Sequence, residues 1–246
     1  MSIIRQTAPD FSASDLADIV IRDGIPADYT LIYKGRNRVA VSPDGRICLK
    51  AFAVPGFFKA LWYGVSSSKA SRAFYNALKL KDLGISTPDP FFFIERHSAC
   101  GLAESYYACR MLQGWSELRS AEKRDDFPQL ATALAEFVSL LHDKEVWMKD
   151  LSMGNVLFIK ENDTFRYVLV DINRMSFAPR GTDAKLSDFI NLLETESGTA
   201  AVVRHYAAIN GLPADTVQKV IARYNAHQAA LMRKRRIKEF IRGKKS

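Results

Sequence analysis

In the first half of the chain apolar and polar positions mostly alternate; in the second half apolar positions mostly recur every three or four residues. Alternation is the period of a half-buried strand, and the longer spacing that of a helix packed along one face. Residues 1–28 read as a leader with one short helix around Ser14 to Arg22. Thr30–Tyr33, Arg38–Val41 and Arg46–Phe52 read as strands, with Pro43-Asp44-Gly45 turning the last two into a hairpin. Lys69–Leu83 reads as a helix, because Ala70, Ala73, Phe74, Ala77 and Leu78 fall on one face. Gly84 stops it, and Thr87-Pro88-Asp89-Pro90 forces an extended exit. Phe91–Glu95 and Tyr106–Met111 follow as strands around a loop at Ser98–Glu104.

The helical half opens with Phe127–His142, whose Leu130, Leu134, Phe137, Val138 and Leu141 share a face. Asp150–Asn155 reads as a loop, and Val156–Ile159 and Tyr167–Asp171 as short strands. Ser187–Leu193 and Val202–Asn210 read as helices, the second ended by Gly211, and Asp215 to Phe240 as one long basic helix. No internal repeat or low-complexity linker interrupts the pattern. The expected organisation is the leader, a mostly β lobe over 29–112 and a mainly helical lobe over 113–246, with the boundary near Leu112–Trp115.

Composition narrows the class. A 246-residue chain that is 48% hydrophobic and 25% charged fits a soluble globular protein. Cys48, Cys100 and Cys109 lack any C-x-x-C spacing, which predicts reduced thiols in a cytoplasm rather than a disulfide framework or a zinc site. No signal peptide is visible, and the longest apolar stretch, Val54 to Val65, is too short to span a bilayer. The net charge of +8 is concentrated between Arg233 and Lys245, where Glu239 is the one acid. That block suits an anionic membrane surface or another phosphate-rich partner, or it is a solvated helix end that suits the helix dipole. Basic residues do not interleave with aromatics, which argues against nucleic acid. The aromatic stretch Phe57–Tyr63 reads as packing rather than lipid contact.

The candidate chemistry lies in the helical half. Asp150 is followed five residues later by Asn155, and Asp171 closes an apolar strand. Phosphoryl transfer from ATP needs a carboxylate to orient the acceptor hydroxyl, and an Asn and an Asp to hold Mg²⁺. Asp150 and Lys50 are the expected catalytic residues, with Asn155 and Asp171 as metal ligands. Lys50, on a strand about 100 residues upstream, resembles the V-A-I-K lysine that holds the α and β phosphates. Gly35, Arg36 and Asn37 lie where a phosphate-covering loop belongs, and Met111 completes the expected nucleotide contacts. Protein kinases pair the strand lysine with a helix Glu, but no Glu occurs between Lys50 and Glu95. The helix offers Arg72, Tyr75, Asn76 and Lys79, so either an Asn or a Tyr orients Lys50, or an acid from elsewhere does, or the site is weak. His142 reads as a structural histidine bonded to the loop backbone; His97, His205 and His227 show no metal spacing.

These segments together resemble the bacterial lipopolysaccharide kinases of the Kdo/WaaP type, within the protein-kinase-like superfamily. The resemblance runs from Leu31 to Ile241 and rests on Tyr33–Asn37, Cys48–Phe52, Ser68–Arg72, Gly84–Pro88, Lys149–Asn155 and Val170–Met175. It implies a two-lobed α+β fold and an ATP- and Mg²⁺-dependent kinase. The implied acceptor is a Kdo or heptose sugar on a lipid A-anchored glycolipid, at the cytoplasmic face of the inner membrane. It departs from the family pattern in the missing helix acid and in Met148, where many relatives carry His. A small RIO-like Ser/Thr protein kinase and a non-catalytic, nucleotide- or glycolipid-binding pseudokinase stand as alternatives.

Overall fold

The structure, a computed structural model, describes residues 2–9, 11, 14–53 and 67–243. The aromatic stretch 57–63, the apolar run 54–65 and the last lysines of the tail lie outside the described residues. Two compact units emerge: residues 1–114 with 168–175, and residues 115–167 with 176–246.

The first unit is built on a six-stranded antiparallel sheet. Its strands are β1 (Ser2–Thr7), β2 (Thr30–Lys34), β3 (Arg38–Val41), β4 (Ile47–Phe52), β5 (Pro90–Ser98) and β6 (Gly101–Arg110), in the order β1-β5-β6-β4-β3-β2. Alternation along β4 gives the sheet two apolar faces. Leu49 and Ala51 join Phe92, Ile94, Tyr106 and Ala108 beneath Ala17 and Val20 of α1 (Ser14–Asp23). Phe52 joins Phe93, Tyr107 and Cys109 beneath Ala70, Ala73 and Phe74 of α2 (Lys69–Asp82). The side chain of Ser68 caps α2 by accepting from Ser71 N at 3.1 Å, and Gly84 beyond it adopts φ +70°.

Three local expectations change. β1 has no counterpart in the pattern, because most of its side chains are exposed and its place is fixed by main-chain pairing, Ser2 opposite His97 through Thr7 opposite Phe92. The loop expected at Ser98–Glu104 is a tight turn instead. Ser98 pairs with Gly101, whose φ of 100° closes the hairpin, and Ser98 Oγ accepts from Cys100 N. The strand expected to reach Asp171 stops at Leu169, since Asp171 has φ 56° and leaves the extended region.

The second unit packs α3 (Phe127–Asp143) against α5 (Glu196–Ile209), with the long α6 (Thr216–Gly243) beyond it. Leu130, Leu134, Leu141, Val202, Val203 and Tyr206 are fully buried there. α5 starts six residues earlier than expected, because Thr195 Oγ1 accepts from Gly198 N and caps it. The helix expected at Ser187–Leu193 is a short α4 (Thr182–Ser187) followed by a 3₁₀ turn over Asp188–Asn191. Further short strands are β7 (Ser116–Glu117), β8 (Val146–Met148), β9 (Val156–Glu161), β10 (Thr164–Leu169) and β11 (Met175–Phe177). Tyr167 on β10 donates its hydroxyl to Leu130 O at 2.7 Å, and burial holds that phenol well above its ordinary range.

Candidate active site

In the first unit the sequence brings together two residues 121 positions apart. Lys50 projects from central strand β4, between Val39 and Tyr107, and its Nζ bonds Asp171 Oδ1. The lysine side chain is 19% exposed and the aspartate side chain 40%, so the pair is only partly shielded from water. This answers how Lys50 is oriented without a helix Glu: the acid comes from the Asp-Ile-Asn segment itself. The helix still contributes. Asn76 Nδ2 donates to Ile172 O at 2.7 Å and Arg72 Nε to Asn173 O at 3.1 Å. Asn173 Nδ2 donates to Asp171 Oδ1 at 2.7 Å. Just upstream, Leu169 N donates to Ser86 O and Thr87 Oγ1 to Leu169 O. A non-glycine residue at positive φ costs free energy and persists where its surroundings over-determine it, and these bonds do so at Asp171.

The β2–β3 hairpin is built differently from a multi-glycine loop. A Cβ at Gly35 would lie 2.3 Å from the Tyr33 hydroxyl, so Tyr33 folds over the glycine. Gly35 N donates to Asn37 O, and Asn37 Oδ1 accepts from Ala53 N at 3.2 Å. Asn37 thus braces the hairpin against the end of β4. A cavity of about 330 Å³ touches Gly35, Arg36 and Arg38, but Ala51 and Tyr106 line it too. Ala51 and Tyr106 belong to the sheet face that packs α1, whereas Phe52, which also lines the cavity, belongs to the face of Lys50. Met111 follows β6 and donates its N–H to Arg46 O.

In the second unit β8 delivers Lys149 and Asp150 to an exposed turn, while Leu151 is buried and anchors it. Asn155 Nδ2 donates to Asp150 O at 2.9 Å, and Met153 N donates to Asn191 O at 3.0 Å. The first bond fixes the asparagine carboxamide and ties the two predicted residues into one turn. Behind them His142 is buried, but its partners are side chains rather than loop backbone. Its Nδ1 meets Tyr206 Oη at 2.8 Å and its Nε2 meets Asp188 Oδ2 at 3.1 Å. The ring stacks on Trp147 at 4.8 Å, and Trp147 Nε1 donates to Ala178 O. Burial, helped by Asp143 and Asp188, pushes the Tyr206 hydroxyl up to about 12, so it stays protonated.

Each unit holds one oxygen donor of the type a divalent cation takes. Asp171 offers a carboxylate, and Asn155, with its amide nitrogen engaged, offers a carboxamide oxygen. Mg²⁺ takes oxygen ligands, few of them from protein, and completes its shell with water and phosphate. Among the described residues no cluster of three or more His, Cys, Asp or Glu forms an all-protein metal cage.

Residues 56–242 match the profile of the Lipopolysaccharide kinase (Kdo/WaaP) family. The chain belongs to the lipopolysaccharide kinase family. As a member it is a kinase, a phosphotransferase. Among solved structures, WaaP in complex with acyl carrier protein is similar over 95% of this chain and 98% of that one, at 17% identity and a TM-score of 0.58. That likeness gives this lipopolysaccharide kinase family member the expected protein-kinase-like α+β fold. WbdD (16% identity, 76% of this chain, 48% of that one) and the Rio2 kinase of Chaetomium thermophilum in an ADP/Mg²⁺-phosphoaspartate complex (15%, 87% and 75%) are more distant, with TM-scores of 0.47 and 0.48. No curated relative matches the chain in sequence.

Asp150, Asn155, Lys50 and Asp171 were visible as motif positions. Arg72 and Asn76 were visible as a polar helix face, but their carbonyl partners were not.

Proposed function

We propose that this kinase transfers the γ-phosphate of ATP to a sugar hydroxyl of the lipopolysaccharide inner core, Kdo or heptose, with Mg²⁺. The observation that carries the reading is the Lys50–Asp171 pair in a chain of the lipopolysaccharide kinase family. Lys50 grips the α and β phosphates, with Gly35, Arg36, Asn37 and Met111 as further nucleotide contacts. Asp150 accepts a hydrogen bond from the sugar hydroxyl and aims its oxygen at the γ-phosphorus. Asn155 and Asp171 would hold the metal, whose charge would offset that of the phosphates. The acceptor is a lipid A-anchored glycolipid, and the basic α6 meets anionic lipid at the inner face of the inner membrane. No helix of the described residues is long and apolar enough to cross a membrane.

The non-catalytic reading draws on one observation: no acid of α2 pairs with Lys50, whose carboxylate partner is a proposed metal ligand. The test is mass spectrometry of Kdo-lipid A incubated with protein and Mg·ATP. A gain of one phosphate, lost in Asp150→Ala, supports the sugar kinase. Tight Mg·ATP binding with no phosphorylated glycolipid supports the scaffold, and phosphorylation of a protein Ser or Thr supports the RIO-like alternative.

A further inference from the structure

Lys50 and Lys69 share one aromatic platform. Lys50 Nζ lies 5.2 Å from the centroid of the Phe52 ring and Lys69 Nζ 6.0 Å from it, so the two nitrogens are no farther apart than those distances together. Lys50 has a carboxylate partner in Asp171; Lys69 pairs with no acid among the described residues. Lys69 also opens α2 at the positive end of the helix dipole, which disfavours its charge, and the first turn contains no acid to offset it.

The electrostatics agree. Burial holds the Lys69 ammonium below the ordinary lysine range. Arg36, Lys50 and Arg72 push it the same way, and Asp171 alone pulls it back. Three cations and one carboxylate therefore act on the Lys69 ammonium. Positive charge in partial burial is costly without a counter-charge, and a polyanion supplies one.

We propose that Lys69 is a second phosphate-binding lysine, gripping the terminal phosphates of the nucleotide beside Lys50. The proposal rests on the ATP-dependent reading above and deepens it. Where a protein kinase helix supplies an acid to orient the strand lysine, α2 supplies a cation to the ligand, and Asp171 orients Lys50. An ammonium on a flexible stem acts as a movable point charge, suited to phosphates more than to one planar group.

Calorimetric titration of the full chain with Mg·ATP, Mg·ADP and adenosine tests this, in wild type, Lys69→Gln and Lys69→Arg. Loss of one charge-assisted contact predicts ATP affinity about tenfold weaker in Lys69→Gln. ADP should weaken less, adenosine should be unchanged, and Lys69→Arg should keep most of the ATP affinity. Tripolyphosphate should displace ATP from wild type more readily than from Lys69→Gln. A generally disturbed fold would weaken adenosine as much as ATP, and that result overturns the assignment. So does a Lys69→Gln protein that binds ATP within twofold of wild type. A wild type that binds none of the three overturns this inference and the ATP-dependent reading together.

Discussion

Lys50 on β4 and Asp171 just beyond β10 form an ion pair whose acid sits in the left-handed region, at φ 56°. The backbone there tolerates Asn and Gly and resists β-branched residues. Charge and conformation can therefore be separated. Asp171→Asn should fold with a melting temperature near wild type while phosphotransfer falls at least about 100-fold, the usual loss for one preorganised polar group in such a site. Asp171→Val should in addition lose about 1–2 kcal/mol of stability. Thermal melts beside initial rates check both, and an active Asp171→Asn would remove Asp171 from the mechanism.

Asn76 joins α2 to the main chain of Ile172 through a 2.7 Å bond. Asn76→Ala should cost about 1 kcal/mol, the worth of one hydrogen bond. If the bond sets Asp171 for catalysis, kcat should fall more than that small loss of stability explains, with KM for the acceptor unchanged. Urea unfolding beside steady-state kinetics separates the two effects.

The strand and helix pattern made most of the fold legible, because burial on one face imposes a period on the side chains. β4 alternates and α2 repeats every three to four residues, so both could be read within two residues of their ends. β1 could not be read, since its side chains bury little and only its main chain commits it to the sheet. The same division applies to the site. Asp150, Asn155 and Lys50 show as motifs because their side-chain types mark them in the sequence. The α2 bonds to Ile172 and Asn173 end on carbonyls, which every residue owns, so no residue type marks them.

His142 ties three elements of the second unit together through Tyr206, Asp188 and Trp147. His142→Phe should preserve the stack but strand a buried hydroxyl, costing about 1–3 kcal/mol. His142→Ala should add a cavity and cost about 3 kcal/mol or more. Denaturant titration of both variants distinguishes the polar from the packing contribution. Equal losses would mean that the packing of the ring matters little.

Asp126 gives a pH signature independent of catalysis. A hydrogen bond from Arg124, then one from Lys160, holds its carboxyl down to about 2. An aspartate depressed in the folded state stabilises above its unfolded value, near 4, and loses that contribution as pH falls towards the folded one. Wild type should therefore lose stability relative to Asp126→Asn between about pH 4 and pH 2. Melting curves across that interval test the sign. A gap that widens on acidification would refute the assignment.

The far end of α6 poses the remaining question of where the kinase works. From Arg233 to Phe240 it carries five basic residues and one acid, and Ile237 and Phe240 are more than half exposed. A solvated helix end needs no exposed Ile and Phe among its charges, whereas an interfacial helix uses both kinds of residue. Each Lys or Arg close to an anionic bilayer contributes about 1 kcal/mol. Replacing Arg235, Arg236 and Lys238 by Gln should then weaken binding to phosphatidylglycerol vesicles by about 3 kcal/mol, roughly 100-fold. Salt should reproduce much of that loss in wild type, because exposed charges are screened within about a nanometre. Ile237→Asp should weaken binding even at high salt, where the apolar contact remains. Vesicle co-sedimentation measures all three, and equal binding to neutral phosphatidylcholine would show that charge does not bring this helix to the membrane.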